Sequence, residues 1–170
     1  MALIRQEQPA DFDTVNTLLQ TSFGREAEAR LVDRLRASGK IFAALVAEEK
    51  QRILGHVVIS GIAVNAEGGD VDALALAPLA VEPAFQRLGI GSALVSAALE
   101  SCRLGRRSRV VVVGDPVYYE RFGFVPATRF GLKCPFPAPE TAFMAIELQP
   151  GAFANASGPV RYGHEFDDLE

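Results

Sequence analysis

Leu74-Ala-Leu-Ala-Pro-Leu-Ala-Val81 runs straight into Glu82-Pro-Ala-Phe85, Gln86-Arg-Leu-Gly-Ile-Gly91 and the segment Ser92 to Gly105. The run reads as an apolar strand, a tight connection carrying a proline, a Gly-x-Gly turn and a helix ending at Gly105. A helix start leaves backbone N–H groups without intrahelical partners, and the aligned peptide dipoles add partial positive charge there. Gly89 and Gly91 remove the side chains that would keep an anion away from those groups. Arg87 adds a formal positive charge beside them. The stretch reads as a site for a phosphate or pyrophosphate.

Two common phosphate motifs do not fit it. The dinucleotide fingerprint places a third glycine where Leu94 stands, and the acidic residue expected downstream is unconvincing. A P-loop needs Gly-Lys-Ser/Thr after four spacers, whereas Gly39-Lys40 is followed by Ile41. The run from Gln86 to Gly91 instead resembles the acyl-CoA-binding motif Gln/Arg-x-x-Gly-x-Gly/Ala of the GCN5-related N-acetyltransferases (the GNAT superfamily). Gln86, Gly89 and Gly91 match every fixed position, and Leu79 to Pro83 resembles that family's strand-to-loop passage. A second motif follows in the right order. Gly114-Asp-Pro-Val-Tyr-Tyr119-Glu-Arg-Phe-Gly123-Phe124 looks like the family's late motif, with a tyrosine on a short helix before Gly-Phe. Its wording, and that of Ser157 to Tyr162, is similar to the YhbS-like group of bacterial N-acetyltransferases.

The resemblance covers residues 1–150 and implies an α/β (α+β) fold of the GNAT type. Its sheet is mixed, mostly antiparallel and splayed at the centre, with helices on both faces. Residues 1–150 are expected to form the acetyltransferase domain and residues 151–170 a tail, partly docked or flexible. Carried over by position, Ala80 and Val81 would offer main-chain groups to the pantetheine arm of acetyl-CoA. Gln86, Arg87, Leu88, Gly89, Ile90, Gly91 and Ser92 would form the cofactor-binding turn, those from Arg87 onward surrounding the pyrophosphate. Tyr119 falls where the family often has the general acid for the departing CoA thiolate, with Tyr118 as the alternative. No metal is implied. The expected activity is acetyl transfer from acetyl-CoA to a primary amine by direct attack, the acceptor being a small molecule or a protein. A non-catalytic CoA-binding sensor is the alternative, and it could dispense with Tyr119. The resemblance leaves a homodimer open.

Composition reads as that of an ordinary soluble globular chain. With 170 residues, 49% apolar and 22% charged, the chain can bury one full core. The longest apolar runs are too short or too interrupted to span a bilayer, and no secretory signal is evident, so a cytoplasmic location is expected. A net charge of −4 with no basic stripe argues against nucleic acid. Cys102 and Cys134 make neither a metal spacing nor a disulfide framework, and Cys134 has no evident base to activate it.

The remaining chain is read from period and punctuation. Leu3 to Arg5 is a short strand, and Asp11 or Asp13 caps a helix to about Ser22. A second helix runs from about Glu26 to Ala37 and stops at Gly39. Strands follow at Ile41 to Glu48 and Arg52 to Val64, then a turn from Asn65 to Asp70. Val110 to Val113 is a buried strand, Asp115-Pro116 starts a short helix, and a last strand spans Thr141 to Leu148. Glu26 and Glu28 read as a solvated face, Arg106 to Arg109 as a solvated basic loop, and His56 as a structural histidine or a base.

Overall fold

The computed structural model describes residues 1–169. They form two compact units, Met1–Ser60 with Ala77–Ser101 and Leu169, and Gly61–Leu76 with Cys102–Asp168. Two long strands and one helix run through both.

In the first unit, β1 (Leu3–Gln6) pairs antiparallel with β2 (Ile41–Glu49), which pairs antiparallel with the long strand β3 (Arg52–Ala66). Lys50 and Gln51 make the two-residue turn between β2 and β3, both with positive φ as a primed hairpin turn requires. Helices α1 (Phe12–Phe23) and α2 (Ala27–Ser38) end at Gly24 and Gly39. Their apolar stripes, Val15, Leu18 and Leu19 on one and Leu31, Val32 and Leu35 on the other, are buried. Asp11 does not cap α1 as the sequence suggests. Its carboxylate turns back to the Gln8 N–H at 2.8 Å and to Arg5 at 2.8 and 3.0 Å, because a buried carboxylate gains more from a guanidinium than from one amide.

Strand β4 (Val71–Val81) leads through a short turn at Pro83–Phe85 into α3 (Ile90–Leu104). Leu94, Val95, Ala98 and Leu99 are the buried face of that helix. The close approach of helix to sheet falls on the strand side, at Gly55. A Cβ there would stand 2.8 Å from Leu94 Cδ1 and 3.2 Å from the Ala80 carbonyl oxygen. In a dinucleotide-binding fold that close approach is made by a glycine on the helix; here the strand supplies it, so Leu94 fits.

In the second unit, β5 (Arg109–Val113) pairs parallel with β4 at Leu74↔Val110 and Ala75↔Val111, and among the described residues that register extends no further. Both strands continue beyond it. On its other side β5 pairs antiparallel with β8 (Phe143–Glu147) over five residues. The short α4 (Pro116–Glu120) starts where the sequence puts it, with the Asp115 carboxylate accepting from the Val117 N–H at 3.0 Å. Two-residue strands β6 (Val125–Pro126) and β7 (Leu132–Lys133) complete this part.

Residues 156–161 form a strand that the sequence pattern does not announce. This β9 (Ala156–Arg161) pairs antiparallel with the end of β3 and parallel with β7. Val160 and Phe166 are buried, and Tyr162 lies edge-on to Phe136 and Phe166 at 4.7 and 4.9 Å between ring centroids. The acidic end expected from Glu165 to Glu170 is seen up to Leu169; Glu170 lies outside the described residues. No helix among the described residues is long and apolar enough to cross a membrane.

Candidate functional site

Residues 80–92 all lie in the first unit, and hydrogen bonds tie strand end to loop. The Gln86 side-chain amide donates to the Val81 carbonyl at 3.2 Å, closing the bend between β4 and the glycine turn. Ser22, in the last turn of α1, donates to the same carbonyl at 3.2 Å. The Glu82 N–H donates to the Leu54 carbonyl at 2.8 Å, and the Glu82 carboxylate pairs with Arg52. The Arg52 guanidinium in turn sits 5.3 Å from the centroid of the Phe85 ring. Nothing in the sequence singles out Ser22 beyond its place at a helix end. Gln86 was expected from the motif, and the structure turns its amide back onto the strand.

The turn itself is open. Gln86, Arg87, Leu88 and Gly89 are exposed, and Ile90, Gly91 and Ser92 are half-buried. Arg87 has φ +64°, a conformation that costs a non-glycine residue energy and recurs at ligand clamps. It makes no ion pair among the described residues. Gly89 has φ +89°, and a Cβ built on it would meet nothing within 4 Å. Its carbonyl accepts the first backbone bond of α3, from the Ala93 N–H at 3.0 Å. The main-chain N–H groups ahead of Ala93 are therefore the ones that a helix start leaves without carbonyl partners inside the helix. An αL residue, an open glycine and a helix start with its positive dipole end suit a phosphate group.

Tyr119 lies in the second unit, on α4, where its ring is buried. It packs edge-on against Phe124 at 5.7 Å and Tyr118 at 5.0 Å between centroids. Gly114 makes room for it, since a Cβ at that position would come within 2.4 Å of Tyr119 Cε2. Burial, and then the neighbouring Tyr118, push the Tyr119 phenol well above its ordinary pKa, so it holds its proton at neutral pH. Its hydroxyl has no hydrogen-bond partner among the described residues. Tyr118 is half-buried and carries the Arg121 guanidinium 4.4 Å above its ring.

The other candidates settle into structural places. His56 is fully buried, with Nε2 3.0 Å from Glu7 Oε1, and Glu7 also receives Arg36 at 2.5 Å. Glu26 is exposed as expected, but Glu28 is not a solvated residue. It is buried, and both its oxygens accept from Arg25, at 3.0 and 2.6 Å. The Arg25-x-x-Glu28 spacing was the available signal for that pair. The basic loop is likewise engaged: Arg107 pairs with Asp72 at 2.8 Å, and Arg109 donates to the Asp72 and Ala152 carbonyls at 2.7 and 3.2 Å. Burial raises the thiol pKa of Cys134, and that of Cys102 to about 11, so neither is a ready thiolate. Among the described residues no three His, Cys, Asp or Glu side chains gather as metal ligands.

The model of the acetyltransferase (GNAT) domain matches residues 40–126. The chain is also 36% identical to the uncharacterized N-acetyltransferase YhbS of Escherichia coli strain K12 over 166 residues, 97% of this chain and 98% of the relative. The chain belongs to the GNAT family. YjhQ of the same strain, another uncharacterized N-acetyltransferase, is 32% identical over 77% of this chain and 74% of its own length. Among solved structures, a GNAT family N-acetyltransferase (YhbS) from Escherichia coli in complex with CoA superposes with a TM-score of 0.91 at 35% identity, covering 99% of this chain and 93% of that one. A GNAT family acetyltransferase from Brucella melitensis in complex with acetyl-CoA superposes with a TM-score of 0.81 at 29% identity, covering 98% and 99%. The GNAT sheet, mixed and mostly antiparallel, is the one described above.

Proposed function

We propose that this GNAT chain is an acyl-CoA-dependent N-acyltransferase that moves an acetyl group from acetyl-CoA to a primary amine. The observation that carries the reading is the turn at residues 86–92. It combines an αL arginine, a glycine with open space around it and the N–H groups of a helix start, in a family whose solved relatives include complexes with CoA and acetyl-CoA. Those features suit a pyrophosphate.

Arg87, Leu88, Gly89, Ile90, Gly91 and Ser92 would surround the pyrophosphate, chiefly through main-chain N–H groups. Ala80 and Val81 would supply main-chain groups to the pantetheine arm. The Val81 carbonyl already accepts two side-chain donors, which leaves its N–H as the group to offer. When bound, acetyl-CoA supplies an acyl carbon activated by a thiol leaving group. A C–N bond forms, the C–S bond breaks, the amine gives up a proton and the sulfur gains one. Tyr119 is the proposed source of the proton for sulfur. Burial keeps that phenol protonated at neutral pH, so it can pass its proton to sulfur as charge grows there, and the proton the amine gives up returns to the phenolate.

The test is a screen of acceptor amines with acetyl-CoA, read by release of free thiol. Release above the rate without enzyme, dependent on one class of amine, is the expected result. Tight acetyl-CoA binding with no release for any amine would point instead to a CoA-binding module.

A further inference from the structure

Val81 closes β4, and its carbonyl oxygen is held by two side chains from opposite directions along the chain. Ser22 Oγ reaches it from 59 residues upstream and Gln86 Nε2 from five residues downstream, each at 3.2 Å. A carbonyl offers two lone pairs, so both are in use. The next residue is fixed as well, with the Glu82 N–H on the Leu54 carbonyl and the Glu82 carboxylate on Arg52. A few residues on, Arg87 stands at positive φ, which persists where surrounding contacts over-determine it. Of the two donors on Val81, Gln86 is exposed and local, whereas Ser22 is half-buried and belongs to a different element. Ser22 therefore ties the last turn of α1 to the strand end that leads into the glycine turn.

We propose that Ser22 is a positioning residue for acyl-CoA, acting through the Val81 carbonyl to hold the end of β4 and the turn after it in the binding geometry before the ligand arrives. The proposal rests on the acyl-CoA reading of that turn. Its physical content is preorganisation: a strand end already fixed does not have to be ordered at the expense of binding. Removing the hydroxyl then costs affinity. A different role would have the opposite sign, because a hydroxyl that merely occupied a carbonyl needed by the ligand would compete with it.

Calorimetric titration with acetyl-CoA of the wild type, Ser22→Ala, Ser22→Thr and Thr17→Ala tests this. Thr17 is the control, since its hydroxyl donates to the Asp13 carbonyl at 3.2 Å on the exposed side of the same helix. Ser22→Ala should bind about fivefold more weakly, the equivalent of one net hydrogen bond. Ser22→Thr keeps the hydroxyl and should return to within about twofold of the wild type. Thr17→Ala should bind as the wild type does. Unchanged or tighter binding by Ser22→Ala overturns the proposal, and so does an equal loss in Thr17→Ala, which would mean a general loosening of α1. A wild-type protein that fails to bind acetyl-CoA refutes the underlying reading instead, and is told apart by that.

Discussion

Tyr119 shares a helical turn with Tyr118, and adjacent helical positions point about 100° apart, so one environment cannot serve both. Tyr119 is buried among Phe122, Phe124 and Tyr118, while Tyr118 is half-buried beneath Arg121. A buried phenol with its hydroxyl bonded to the backbone would be a packing anchor. Here the ring is packed, but among the described residues the hydroxyl is not bonded to the backbone, which leaves it available as a donor. Tyr119→Phe keeps the ring and removes only that hydroxyl. Turnover should fall by about 10²-fold or more with acetyl-CoA affinity nearly unchanged, the signature of an interaction made in the transition state. Normal turnover in Tyr119→Phe beside a crippled Tyr118→Phe would transfer the role to Tyr118. Full rates in both would mean that solvent protonates the sulfur.

The turn and helix at residues 86–104 show how one element divides its work between two glycines. Gly89 needs its residue type for the backbone, because φ +89° is closed to most side chains. Gly91 is the second residue of α3 and is not among the positive-φ positions, so a side chain there meets no backbone objection. The proposed reason for Gly91 is space in front of the helix-start N–H groups. Gly91→Val should therefore keep a native far-UV circular dichroism spectrum and weaken acetyl-CoA binding at least about tenfold, or roughly 1.4 kcal/mol. A folded variant with wild-type affinity would remove Gly91 from the binding turn. These elements were legible in the sequence because local chemistry defines them: glycines that stop or bend the chain, Asp115-Pro116 that starts α4, and the apolar run of β5. Strand β9 was not, since Gly158-Pro159 interrupts any period and the strand exists through its pairing with β3 and β7. The bend at Val81 was only half legible. Gln86 lies within the motif, but a serine 59 residues away gives no sequence signal of its bond.

Across the molecule, the acid-sensitive part of stability is concentrated where carboxylates are taken from water and matched with cations. In the first unit, Glu7 is nearly buried and accepts from both His56 and Arg36, while Asp11 accepts from Arg5. Burial works to raise the Glu7 pKa, yet the His56 and Arg36 hydrogen bonds outweigh it and the net shift is downward. The Arg5 hydrogen bond holds Asp11 below its usual range in the same sense. A carboxylate whose folded pKa is depressed binds its proton more readily when unfolded. Its contribution to stability is then full above the unfolded pKa, about 4.3 for Glu, and is lost as pH falls through the lower folded value. Glu7→Gln isolates one such group. It leaves Arg36 and His56 without the charge they face, and loss of one partner of a buried pair costs about 3–5 kcal/mol; Arg36, which also pairs with Asp33, keeps part of its compensation. A loss of roughly 2–3 kcal/mol at neutral pH is therefore expected from denaturant unfolding. The gap between variant and wild type should hold down to the ordinary carboxylate range and narrow below it, as the wild-type Glu7 takes up the proton that glutamine never binds. A gap of constant size from about pH 7 to about pH 3 would show that Glu7 is not held ionised by its partners, because the linkage relation then assigns it no proton uptake on unfolding.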